Sequence, residues 1–284
     1  MATLKGIDVS KHQGVIDWDK VKSSGMADFV LVRAGFGKYA SQVDSRFTAN
    51  MKGVQKAGIP YGLYWYSYAE SPAAAKLEAA ACLEVIKGYD PELPIFYDME
   101  YEPDILAMTN AQRAECCNVF CREIAKATGE KVGVYASMDF LVNKLDLKKL
   151  DAGLQIWVAQ YVKDSEIGSP GESKYKGEHQ IWQYTSKGKV SGIPANVDLD
   201  FGYVYYAAKP AARWVKTAQG WVYGGYKNRW LKQKGCWYWF NAQGIAVTGW
   251  HTVNGVDYYF ATADFAKASG GRVKECQCME LAKE

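Results

Sequence analysis

Histidine is scarce in this chain. The only three in 284 residues, His12, His179 and His251, form no HExxH or HxxxH spacing that would set two imidazoles on one helix face. Cys276 and Cys278 make a CxC pair rather than paired CxxC motifs, so a zinc amidase or peptidase is disfavoured and no metal or cofactor is expected. No GxSxG elbow is present, and no cysteine stands in an evident pair with a histidine for nucleophilic catalysis. The seven cysteines are an odd number, and Cys116, Cys117 and Cys121 fit one helix, which argues against a complete disulfide framework and for synthesis in a reducing cytoplasm. The opening residues show no basic segment leading into an apolar one, so no secretion signal is expected. No apolar run approaches the roughly 18 residues of a membrane span, so membrane insertion is not expected either.

Tryptophan and charge are unevenly spread. Residues 207–284 hold six of the ten tryptophans and 11 Lys+Arg against 5 Asp+Glu, a surplus of +6, whereas residues 1–206 hold 23 against 26, or −3. A basic aromatic tail suits nucleic acid, an anionic wall polymer or a membrane surface, and charge alone does not choose among them.

Through the first two hundred residues short apolar runs alternate with longer amphipathic stretches, the pattern of a β/α fold. Eight runs qualify as strands: 5–9, 29–33, 61–67, 94–100, 131–136, 154–160, 180–185 and a weaker one at 197–201. Ser71 followed by Pro72 starts one helix that Gly88 ends. Thr109 starts another, with Gln112 completing a capping box and Gly129 at the exit. Within it Cys117, Phe120, Cys121 and Ile124 follow the spacing of a buried stripe, which makes the thiols core filler. Eight strands with about five helices predict an irregular (β/α) barrel whose later half lacks full crossover helices. Catalytic groups in that architecture sit at the carboxyl ends of the strands.

The run from Leu93 ends in Asp98 and Glu100, whose i, i+2 spacing turns both side chains to one face with Cα atoms roughly 6.6 Å apart. That spacing permits the carboxyl separations of retaining or inverting glycosidases. Asp8 lies near the end of the first run and Asp198 where the last begins, so closure of the barrel brings all four acids to one mouth. Crowded carboxylates raise the pKa of at least one, as proton donation to a leaving group requires. A lone strand-end acid is more often solvated or paired with Lys or Arg, but a DxE pair on an apolar strand reverses that balance. Tyr64, Tyr66, Tyr135, Trp157, Gln160, Trp182 and Gln183 fall near the same ends and are candidates to stack on sugar rings or bind hydroxyls.

After residue 206 a repeat appears: Trp230, Gly235, Tyr238 and Phe240 recur as Trp250, Gly255, Tyr258 and Phe260, with a degenerate earlier copy through Trp214, Gly220 and Tyr223. Each unit reads as an aromatic hairpin too small to bury a core alone, so stacked neighbours must complete it. The organisation expected is a barrel over 1–206, a linker at 207–213, repeats over 214–268 and a tail at 269–284 that matches no repeat.

The stretches GIDVSKHQG (6–14), IDW (16–18), VRA (32–34), YDME (97–100), IWVAQY (156–161), IWQY (181–184) and Val197-Asp198 resemble the glycoside hydrolase family 25 lysozymes over residues 4 to 203. The resemblance implies cleavage of the β-1,4 bond between N-acetylmuramic acid and N-acetylglucosamine in bacterial peptidoglycan. It makes Glu100 the acid catalyst, Asp98 the stabiliser of the cationic transition state, and Asp8 and Asp198 residues that shape the site. Many such enzymes are phage endolysins, which are made in the bacterial cytoplasm and act on the wall after release. The repeats resemble wall-binding repeats of lysins, some of which hold the choline of teichoic acids by cation–π contact. Trp230, Trp237, Trp250 and Tyr258 are the candidate walls, although Asp257 stands where the preceding repeat has Trp237 and Val222 is placed there in the degenerate copy.

Two alternatives come from other classes. A barrel glycosidase acting on chitin also ends a strand in DxE, but usually carries a further Asp two residues earlier, where this chain has Phe96. A catalytically silent wall-binding protein would have little use for four converging acids.

Overall fold

Alternating side-chain direction along eight short strands produces a closed barrel with one core inside it and another around it. The strands are β1 (Leu4–Val9), β2 (Phe29–Phe36), β3 (Tyr61–Tyr66), β4 (Ile95–Asp98), β5 (Val132–Ser137), β6 (Gln155–Ala159), β7 (Ile181–Gly188) and β8 (Val197–Gly202), neighbours in that order around the barrel. The computed structural model describes residues 4–204, 214–224, 226–233, 236–253, 255–269 and 275–279. The expected linker at 207–213, the repeat residue Gly235 and most of the expected tail lie outside the described residues. The chain divides into two compact units, Met1–Ala207 and Ala208–Glu284.

Strands β1 to β7 run parallel, whereas β8 pairs antiparallel with both β7 and β1. The eight residues 189–196 that join β7 to β8 are too few for a parallel crossover, which needs a dozen or more, so the chain turns back instead. The five helices α1 (Trp18–Ser24), α2 (Phe47–Ala57), α3 (Pro72–Val85), α4 (Pro103–Ala107) and α5 (Asn110–Thr128) all precede β5. The Ser71 hydroxyl accepts from the Ala74 amide to start α3, and regular helix stops at Val85 before a turn reaches Gly88. The capping box of Thr109 and Gln112 opens α5, and left-handed Gly129 closes it.

Trp65, Tyr97 and Trp182 point outward into the layer between strands and helices. Their chain neighbours Tyr64, Phe96 and Ile181 point inward, with Phe29, Leu31, Leu93, Tyr135 and Trp157. Phe29 and Phe96 are large for so narrow an interior. They fit because a Cβ at Gly6 would come within 2.1 Å of the Phe29 ring and one at Gly133 within 2.7 Å of the Phe96 ring. These rings floor the barrel, with Phe96 one inward position below Asp98 on β4.

The second unit is a set of hairpins: β9 (Trp214–Thr217) with β10 (Gly220–Tyr223), β11 (Arg229–Gln233) with β12 (Cys236–Phe240), and β13 (Gly249–Val253) with β14 (Val256–Phe260). Trp214 packs on Tyr238 and Phe240 of the next hairpin at 4.7 and 5.6 Å, and Trp230 packs on Tyr258 and Phe260 at 5.0 and 5.7 Å. Each hairpin's apolar face is thus covered by its neighbour. Short helix α6 (Ala263–Ala268) follows, and β15 (Cys278–Met279) adds a strand beside β14. Cys276 is buried with Tyr238 and Phe240, so part of the expected tail belongs to this core. Among the described residues no helix is long and apolar enough to cross a membrane.

Candidate active site and aromatic recess

Asp8, Asp98, Glu100 and Asp198 line a single cleft of about 270 Å³ at one rim of the barrel, together with Tyr64, Tyr66, Tyr135, Trp157 and Gln183. The antiparallel course of β8 puts its first residues at the rim where the parallel strands end, which is why the start of that run contributes to the mouth. Strand β4 stops at Asp98, so Glu100 stands on the segment after it, half-buried where Asp98 is buried.

A polar network fixes the inner face. Gln183 Nε2 donates to Asp8 Oδ2 at 2.7 Å, and its Oε1 accepts from the Tyr135 hydroxyl at 2.8 Å and the Tyr161 hydroxyl at 3.0 Å. Trp157, held between Tyr64 and Tyr135, donates Nε1–H to Asp200 Oδ1 at 2.8 Å. Asp98 Oδ1 and Asp200 Oδ2 are buried and accept no hydrogen bond.

All five acids hold protons more tightly than ordinary carboxyls, first because burial disfavours charge. Asp8 is raised further by Asp198 and Asp200, and Asp98 by Glu100, with Arg33 opposing. Glu100 is raised by burial and then by Glu102, while its hydrogen bond with Asp98 acts the other way. Burial takes Asp198 up to about 6. Asp200 is raised by burial against the Trp157 bond. A raised proton affinity is the direction that acid catalysis at a glycosidic bond requires of its donor.

Two expected residues do not reach the cleft. Trp182 is fully buried on the outer face, donating to the Gln160 carbonyl at 2.8 Å, because it adjoins inward-facing Gln183 and successive strand residues face opposite ways. Gln160 turns its amide to the backbone, accepting from the Lys174 amide and donating to the Tyr161 carbonyl. Residues that sequence reasoning left out complete the lining: Ser10, His12, Gln13, Arg33 and Tyr161, with Asp200 beneath. Asp200 was signalled by its i+2 spacing from Asp198. Arg33 lies two places beyond inward-facing Leu31 and is held by Asp44, whose Oδ2 accepts Nε and Nη2 at 2.7 Å each.

In the hairpin unit Trp230, Trp237 and Tyr258 come together, the Trp230 ring 6.0 Å from Trp237 and 5.0 Å from Tyr258. Trp250 stands apart, 63% exposed and packed on Tyr259 at 5.5 Å. The strand register corrects the sequence alignment of the degenerate copy. Trp221 faces Lys216 as Trp237 faces Lys232, so Trp221 rather than Val222 holds that position. There Lys216 Nζ lies 5.2 Å over the Trp221 ring and pairs with Glu275 at 3.2 Å, while Trp221 Nε1 donates to the same carboxylate at 2.9 Å.

Fold and cleft define a β/α-barrel protein with a carboxylate-lined site at its strand ends. The chain belongs to the glycosyl hydrolases family 25, whose model matches residues 7–193. The cell wall binding repeat of the choline-binding class matches residues 228–246 and 248–262. An autolytic lysozyme of Clostridium acetobutylicum is 28% identical over 69% of this chain and 55% of its own length. The modular autolysin LytC from Streptococcus pneumoniae is 31% identical with a TM-score of 0.59, covering 71% of this chain and 47% of that one. The catalytic domain of endolysin ply40 from bacteriophage P40 of Listeria monocytogenes is 30% identical with a TM-score of 0.59, over 70% of this chain and 92% of that domain. The chain therefore spans about half the length of the first two.

Proposed function

We propose that this protein is an N-acetylmuramidase that hydrolyses the β-1,4 bond between N-acetylmuramic acid and N-acetylglucosamine. The carrying observation is the Asp98–Glu100 pair, set in a cleft that raises the proton affinity of both. The two share a proton: Glu100, half-buried and nearer the mouth, delivers it to the leaving oxygen, Asp98, ionised as the proton leaves, stabilises positive charge at the anomeric centre, and water then adds to that centre and returns a proton to the pair. Asp8 and Asp198 shape the site, and Tyr64, Tyr66, Tyr135 and Trp157 supply ring faces and hydroxyls for the sugars. The similarity to lysozymes and autolysins supports the same reading. Phe96, buried against Trp157 at 5.5 Å, leaves no third acid on β4 and favours peptidoglycan over chitin.

The hairpin unit anchors the enzyme to the wall, with Trp230, Trp237 and Tyr258 receiving choline or another quaternary ammonium group by cation–π attraction. The protein acts as a phage endolysin on the wall after release from the cytoplasm. The test is to digest purified peptidoglycan, reduce the new ends with borohydride and identify the sugar alcohol. Muramitol is the expected product, glucosaminitol would sink the reading, and no product would make the chain a silent wall binder.

A further inference from the structure

The catalytic cleft continues into a second recess of about 270 Å³, with which it shares His12, Arg33 and Tyr66. The remaining walls are Lys11, Phe36 and Tyr68. The polarity of the groove reverses along its length: four carboxylates line the cleft, and none of the lining residues of the recess is acidic. One wall is basic. The other is a cluster of rings, with Tyr68 at 5.2 Å from Tyr66 and 6.2 Å from Phe36.

The basic wall is built by local structure. After β1 a single helical turn, Lys11–Gln13, is closed by the capping box of Ser10 and Gln13, and the Lys11 amide is tied to Asp44 Oδ2 at 3.0 Å. That same carboxylate neutralises Arg33, which leaves Lys11 as the charge that no other lining residue of the recess offsets, while on the other wall Glu102 accepts from the Tyr66 hydroxyl at 2.7 Å. The effect is felt by His12, whose proton affinity is lowered by burial and then by Arg33 and Lys11. A groove acidic where a cation forms and basic one step away fits a sugar that carries an anion beside the bond to be cut. Muramic acid does so, because its lactyl ether bears a peptide stem with free carboxylates.

We propose that the recess between Lys11, His12 and Arg33 on one side and Phe36, Tyr66 and Tyr68 on the other binds a carboxylate of the peptide stem on the muramic acid residue at the cleavage site. The assignment rests on the muramidase reading. Lys11 supplies the uncompensated charge, and the rings cover the apolar parts of the stem. The recess therefore determines specificity, favouring strands whose stems keep free carboxylates.

The test compares the full chain with Lys11→Gln and Lys11→Glu on three substrates of equal glycan length: fragments with free stem carboxylates, the same fragments with those carboxylates amidated, and strands stripped of stems. Wild-type turnover is scored first. Its absence on every substrate would defeat the muramidase reading, and binding of the uncut fragments to Glu100→Gln, followed by calorimetry, would then still decide the recess. The expected result is a wild-type preference for free over amidated stems in kcat/KM that falls about tenfold in Lys11→Glu, through KM, and less in Lys11→Gln. A preference unchanged by either variant, or an equal loss on free and amidated stems, would overturn the proposal. An equal loss on stem-bearing and stripped strands would assign the recess to the lactyl carboxylate and overturn the stem assignment.

Discussion

Asp8 and Asp198 face one another across the seam where the barrel closes, opposite partners in the antiparallel pairing of β1 and β8. Seven parallel strands deliver their carboxyl ends to this rim, and the eighth, running the other way, delivers its amino end. Asp198 and Asp200, two residues apart on β8, therefore enter the interior at two depths beside Asp8, Asp198 at the rim and Asp200 one inward position deeper.

The roles proposed for that pair separate under mutation. Glu100→Gln keeps the shape of the side chain and removes its proton, so turnover on peptidoglycan should fall about 10²- to 10⁴-fold. Asp98→Asn should lose activity comparably. Wall binding measured by sedimentation with cell walls should be unaltered in both, because the binding residues proposed lie in the other unit. Lysis by Glu100→Gln at the wild-type rate would remove Glu100 from the chemistry.

Burying these acids costs stability, with a definite pH dependence. The Asp198 carboxyl rises to about 6 in the folded protein, from about 3.9 in an unfolded chain. Between those values the folded state binds more protons than the unfolded one, so stability falls as pH rises from about 4 to about 6 and the penalty is constant above. Asp198→Asn should melt roughly 6 °C or more above the wild type at pH 7.5 and close to it at pH 4. Calorimetry at the two pH values decides the matter, and a gain of the same size at both would mean that charge burial is not its cause.

Much of the barrel and its four acids could be read in the sequence because both rest on periodicity. Inward and outward residues alternate, so Asp98 and Glu100 fell on one face together, and helix caps such as Thr109 with Gln112 are local chemistry. What periodicity does not carry is strand direction. The antiparallel β8 follows from the short connection before it, and with it came Asp200. Gln160 and Trp182 were misplaced by the same rule applied too loosely: proximity to a strand end was counted without asking which way each residue points. Arg33 was visible as a motif residue, but its partnership with Asp44 spans eleven positions and has no periodic signature.

The floor of the cleft should be as important to folding as the acids are to chemistry. Phe96 is fully buried inside the barrel against Trp157, and Gly133 leaves it room. Phe96→Ala opens a cavity there and should cost about 3–5 kcal/mol by denaturant unfolding. It should also depress activity, since Trp157 positions Asp200 through its indole N–H. A loss below 1 kcal/mol would show that the interior collapses around the missing ring.

The aromatic hairpins allow the wall ligand to be tested one ring at a time. Trp237 is 39% exposed with its ring 6.0 Å from Trp230, and Tyr258 of the following hairpin packs on that same indole at 5.0 Å. In the preceding pair of hairpins the corresponding Trp221 carries a cation, the chain's own Lys216, anchored by Glu275. Trp250 has no following hairpin ring among the described residues. If a quaternary ammonium is held by rings as proposed, Trp237→Ala should weaken choline binding at least tenfold, about the 1–2 kcal/mol of a desolvated cation–π contact, and Trp250→Ala less than about twofold. Trp221→Ala should change binding little, because its face is occupied by Lys216. Titration of choline followed by tryptophan fluorescence, with wall sedimentation alongside, measures all three. Equal losses for Trp237→Ala and Trp250→Ala would move the ligand out of the space between hairpins and onto the exposed ring.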